Sequence, residues 1–161
     1  MILEVVDLDK IINEAESETG HKFSRQDTEG LRLILKYLNE FPNSFSWRSR
    51  SNIPNLKTSA GIKEIAKKFI EARNRTVLPQ RPKTIPDPVV FLVMQEHYGV
   101  VSADKAKIEG YHLEAMSSEN IVGGLLEKYI DSVLREIGWV WCSGDIVRSI
   151  DFIKNEKGKL S

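Results

Sequence analysis

With 161 residues, 41% of them hydrophobic, the chain is sized for one ordinary soluble domain that buries a core of its own. No apolar run approaches the roughly 20 residues of a spanning helix, and the opening MILEVVDLDKIINEAESE turns acidic at once, unlike a cationic secretion signal. A membrane protein is therefore not expected and a cytoplasmic location is. The single cysteine, Cys142, rules out an internal disulfide or a cysteine-rich zinc site and is expected as a small buried hydrophobe.

The formal net charge is zero, but it is distributed unevenly. Residues 1–41 carry 5 Lys and Arg against 9 Asp and Glu, residues 42–83 carry 10 against 2, and residues 84–161 carry 8 against 12. The basic block holds Arg48 and Arg50 beside Trp47, then Lys63, Lys67, Lys68, Arg73 and Arg75. Facing a polyanion, such a block supplies the counterion-release part of nucleic-acid affinity. The alternative is a solvated helix face with two basic loops.

In chain order, SRQDTEGLRLILKYLNEF predicts an amphipathic helix. Ser24 precedes Asp27 by three residues, as in a capping box, and Leu31, Ile34, Leu35, Leu38 and Phe41 fall on one stripe. TSAGIKEIAKKFIEARN predicts another, with Ile62, Ile65, Ala66, Phe69 and Ile70 inward and its lysines outward. The proline-rich LPQRPKTIPDP is a rigid connector that ends with Asp87 as N-cap and Pro88 at the first helical position. The helix PVVFLVMQEHY, apolar nearly all round and stopped by Gly99, is expected at the centre of the core.

Beyond Ser102, ADKAKIEGYHLEAM predicts a helical stretch interrupted by Gly110. His112 within it has no histidine or cysteine at ligand spacing and is taken as structural. A further helix is expected to place Val122, Leu126, Tyr129, Val133 and Ile137 on the core side and to end at Gly138. WVWC and IVRSIDFI, separated by SGD, predict an antiparallel hairpin. The fold class expected is α+β, predominantly helical with a C-terminal hairpin. Residues 1–85 form a helical region containing the basic segment 42–83, and residues 86–161 hold the remaining helices and the hairpin, together one compact domain.

Two acids stand out. In a helix Glu127 leans over Gly123 and Gly124, which leave its carboxylate uncovered. Glycines in mid-helix each cost roughly 1 kcal/mol relative to alanine, a cost explained by close approach of a ligand or by tight helix packing. Asp151, placed between Ile150 and Phe152, is expected on a partly apolar strand face where an unpaired charge is costly, so it needs a partner or a metal. One helix acid and one strand acid suit Mg²⁺, which takes one or two carboxylates together with water and phosphate oxygens.

The order EN..GGLLE.YI.......GW.WC.G..V.SIDFI resembles the core of type II restriction endonucleases of the SinI/AvaII type, in the PD-(D/E)XK nuclease superfamily. The likeness is closest over residues 86–153. It implies a partial restriction-endonuclease-like core, Mg²⁺-dependent cleavage of double-stranded DNA at short GC-rich sites, and Glu127 and Asp151 as the first two catalytic and metal-binding acids. The superfamily's third element is an acid or glutamine two residues before a lysine on the next strand. No lysine after Asp151 has that spacing. The chain is thus expected to resemble the N-terminal part of such an enzyme, lacking the last catalytic strand and inactive. DNA-binding residues are expected at Arg48, Arg50, Lys63, Lys67, Lys68, Arg73 and Arg75, and the hairpin's unpaired edge suggests a homodimer. The competing class is a non-enzymatic helical module that binds DNA or protein through the same basic residues.

Overall fold

The computed structural model describes residues 7–47, 52–76, 88–156 and 159–160. The proline-rich connector and the cap expected at Asp87 lie outside these, as do Arg48 and Arg50. Among the described residues, five α-helices precede a small antiparallel sheet: α1 (Leu8–Thr19), α2 (Arg25–Glu40), α3 (Ser59–Asn74), α4 (Pro88–Tyr98) and α5 (Lys105–Leu134), then β1 (Trp139–Trp141), β2 (Phe152–Glu156) and β3 (Lys159–Leu160). The chain divides into two compact units. One comprises Met1–Arg75 with Lys128–Ser161 and the other Thr76–Glu127, so the sheet shares a unit with α1–α3.

In the first unit the helices form where the sequence supplies both caps and stripes. Ser24 caps α2 reciprocally: its hydroxyl accepts from the Asp27 amide at 3.1 Å, and the Asp27 carboxylate accepts from the Ser24 amide at 3.1 Å. Thr58 caps α3 by accepting from the Gly61 amide at 3.1 Å. The core joins Leu8, Ile11, Ile12 and Ala15 of α1 to Leu31, Ile34, Leu35 and Leu38 of α2, to Ile62, Ile65, Ala66 and Phe69 of α3, and to Cys142, Ile146, Val147 and Ile153 from the sheet region. The expected α2 and α3 stripes are buried, except that Phe41 caps α2 in a largely exposed position. Helix α2 meets β1 at Gly30, where an added Cβ would lie 3.0 Å from a Val140 methyl.

The hairpin forms with a different frame from the one expected. Trp139 pairs with Lys154, Val140 with Ile153 and Trp141 with Phe152, so residues 142–151 are a loop and not the start of a strand. Asp145 at φ 52° and Ser149 at φ 57° adopt left-handed backbone that breaks the extended run. Nor is β2 left without a later neighbour: Asn155 and Glu156 pair with Leu160 and Lys159 of β3.

In the second unit, and along α5 as it re-enters the first, the expected burial is reversed. Gly110 does not interrupt the chain, because α5 runs unbroken for 30 residues. Its stripe Val122, Leu126, Tyr129 and Val133 is exposed, as is Ile137 in the 3-10 turn that follows, and so are Val89, Val90, Leu92 and Val93 of α4. A helix apolar on every side needs neighbours on every side. Beside α4, the described residues of the unit Thr76–Glu127 supply a short 3-10 turn and part of α5.

Candidate functional site

Asp151 ends the loop 142–151 and is exposed, which differs from the apolar strand face expected for it. Its backbone carbonyl accepts from the Cys142 amide at 2.7 Å, fixing the position from which β2 departs. The rest of the loop is held from below. Ile146 and Val147 are buried, and the buried Ser143 hydroxyl donates to the Phe69 carbonyl of α3 at 3.0 Å. Val147 bridges Phe45, with the Ser46 amide donating to the Ile146 carbonyl at 2.9 Å and the Arg148 amide to the Ser44 carbonyl at 2.7 Å. Gly144, at φ 86°, lets the loop approach α3: a Cβ there would stand 3.0 Å from the Lys68 carbonyl. The loop thus presents Arg148 and Asp151 to solvent on a backbone that is tied down along its length.

Cys142 is the buried hydrophobe expected, 4% exposed. Burial pushes its thiol up to about 12, with Arg73 opposing that effect and Asp151 adding to it, a direction that disfavours the reactive thiolate.

The basic residues of α3 do not form the free face expected of them. Lys63 lies 2.7 Å from Glu18 and 3.6 Å from Glu14 of α1, and Lys67 lies 2.9 Å from Glu18 and 3.1 Å from Glu64. Hydrogen bonds from both lysines hold the Glu18 carboxyl below the usual range, and the Glu18 bond raises both ammonium groups. These lysines therefore tie α3 to α1. Lys68 has its ammonium buried, 4.3 Å from the centre of the Trp47 ring.

Arg73 is likewise held by acids. Its side chain is 8% exposed and its guanidinium lies 3.0 Å from Asp131 and 3.4 Å from Asp27. It also donates to the Trp141 carbonyl at 2.9 Å and stacks on Phe69 with 4.4 Å to the ring centre. Burial lowers its pKa while Asp131 and Asp27 raise it. Arg135 completes the group by pairing with Asp131 and, at 3.6 Å, with Asp27. Of the α3 candidates, Arg75 is exposed, its carbonyl accepting from Lys128 at 2.6 Å.

Glu127 belongs to the unit Thr76–Glu127 and Asp151 to the other. Beside Gly123 there is open space, with nothing within 4 Å of an added Cβ. Among the described residues no three of His, Cys, Asp or Glu converge as a metal-binding group. Asp151 is one exposed acid of the kind Mg²⁺ uses with water and phosphate oxygens. Sequence reasoning passed over Arg148, and its signal was faint: a lone basic residue in a run that looked like a strand. Among the described residues no helix is long and apolar enough to cross a membrane.

Comparison with known proteins places this geometry in context. The chain is 38% identical over 136 residues to the type II restriction enzyme SinI of Salmonella infantis, covering 82% of this chain and 57% of that enzyme. It is 35% identical over 126 residues to the type II restriction enzyme Eco47I of Escherichia coli, covering 76% and 53%. The chain spans about half the length of these curated relatives. The family model described as SinI restriction endonuclease matches residues 11–160, and the chain belongs to the SinI restriction endonuclease family.

Proposed function

We propose that the protein serves DNA restriction in the cytoplasm. In this reading it engages double-stranded DNA as a homodimer and takes part in Mg²⁺-dependent phosphodiester hydrolysis at a short GC-rich site, on a partial PD-(D/E)XK core. The observation that carries this reading is the family match across residues 11–160. Asp151 supports it, being an exposed acid at the head of β2 on a loop anchored from both sides. Asp151, with Glu127 as the second acid, would hold the ion, whose charge stabilises the negative charge that develops on phosphorus during hydrolysis. The chain's own contribution is position. A carboxylate on a backbone already fixed by hydrogen bonds needs little reorganisation when its ligand arrives.

Filter binding of the protein to duplex DNA, at two salt concentrations with and without MgCl₂, tests the reading. The expected result is salt-sensitive binding with a Mg²⁺-dependent component that Asp151→Asn removes. Plasmid cleavage is not expected from residues 1–161, because none of Lys154, Lys157 and Lys159 stands two residues after Asp, Glu or Gln. Binding that ignores Mg²⁺ and is untouched by Asp151→Asn would replace the nuclease reading with the non-enzymatic module.

A further inference from the structure

On α3, Lys63, Lys67 and Arg73 are matched by acids and the Lys68 ammonium is buried, so most of that helix has little uncompensated charge to offer a polyanion. Arg148 is different. It is exposed and makes no ion pair with another described residue. Its amide is committed to the Ser44 carbonyl, so an exposed arginine stands on a fixed backbone. Its neighbours are informative: Ile146 and Val147 are buried as anchors, and Ser149 takes left-handed backbone at φ 57°. Three residues on, the same loop presents Asp151.

The segment beneath this loop carries the other half of the argument. Residues 42–47 pair with the loop through the Phe45–Val147 bridge, Phe45 stacks on Trp47 at 6.1 Å, and the Lys68 ammonium lies over Trp47. In sequence Trp47 leads directly to Arg48 and Arg50. We propose that Arg148 is a phosphate-contacting residue, and that the corner formed by residues 42–47 and 143–151 seats the backbone of duplex DNA beside Asp151. The inference deepens the restriction reading and rests on it. A planar guanidinium suits a phosphate by offering paired N–H donors, and a phosphate contact carries position without reading bases.

The test is the salt dependence of binding to a labelled 20-base-pair duplex by wild type, Arg148→Gln, Arg148→Lys and the control Lys36→Gln. Lys36 is an exposed lysine on α2, and its substitution removes the same charge elsewhere. Arg148→Gln keeps the backbone amide that holds the loop, and circular dichroism with urea titration confirms equal folding of all four. Arg148→Gln is expected to weaken binding about tenfold at low salt and to reduce the slope of log K against log salt by about 0.9. Arg148→Lys should restore most of the slope, and Lys36→Gln should leave it unchanged. Equal slopes for Arg148→Gln and Lys36→Gln overturn the proposal, as does an effect of Arg148→Gln seen on a single-stranded RNA of the same length and absent on the duplex. A wild-type chain without salt-sensitive duplex affinity overturns the restriction reading itself, and this inference with it.

Discussion

Asp27 shows how one side chain can serve two structures. One carboxylate oxygen closes the capping box of α2, and the other faces Arg73 and Arg135. Through Asp131 the same group reaches the C-terminal end of α5, and through the Trp141 carbonyl it reaches β1. Four charges are thus traded within one buried patch. Removing one member leaves the others desolvated and unmatched, which typically costs about 3–5 kcal/mol. Arg73→Ala should lose about that much in urea unfolding, and the paired change Arg73→Met with Asp131→Leu should lose less than the single one. A double variant no more stable than Arg73→Ala would contradict this account. The cluster was illegible in the sequence because its members lie far apart and follow no period. Arg73 read instead as part of a basic face, since composition counts a charge without showing what neutralises it.

At the scale of elements, legibility followed local signals. Helices α2 and α3 could be read in advance because their 3.6-residue stripes and their Ser24 and Thr58 caps agree with one another. Helix α1 went unread, its Leu8, Ile11, Ile12 and Ala15 stripe hidden among acids. The hairpin was found with the wrong frame: Ile146, Val147, Ile150 and Phe152 mimic a strand, and only the left-handed residues Asp145 and Ser149 reveal a loop. A two-residue strand such as β3 has no period to detect. Asp151 is legible as an acid, but its place at the end of a loop and not within a strand depends on that frame. Glycines allow the helices to be tested separately. In an exposed helix Gly→Ala gains roughly 1 kcal/mol, and Gly123→Ala should do so because the space beside it is open. At Gly61 an added Cβ would lie 2.0 Å from the Asn55 carbonyl oxygen. Gly61→Ala should therefore destabilise the protein despite the better helix former. Thermal unfolding of the two variants should move in opposite directions; a rise for both would show that the 52–58 segment yields freely.

For the whole molecule, the decisive feature is the apolar surface left on α4 and α5. Tyr129 is 67% exposed and Val122 63%, and they share one stripe with Leu126, Val133 and Ile137. Monomeric soluble proteins rarely carry large contiguous apolar patches. Self-association is the expected outcome for residues 1–161, and Leu126→Glu, placed mid-stripe, should weaken it. Sedimentation equilibrium at about 10 mg/mL tests this, and a strict 18.3 kDa monomer for the wild type would refute it. The division of the chain has a consequence of a different kind, in time. Helices α1–α3 are complete by Asn74, yet the core they share takes Ile146, Val147 and Ile153 from beyond the second unit. During synthesis the first 75 residues must wait while about 80 more are added, roughly 4–16 s at ordinary elongation rates. For that interval the inner faces of three finished helices lack the residues that close them. The nascent protein is then most open to chaperones and proteases, and the last residues of the core to be translated set the moment at which that exposure ends.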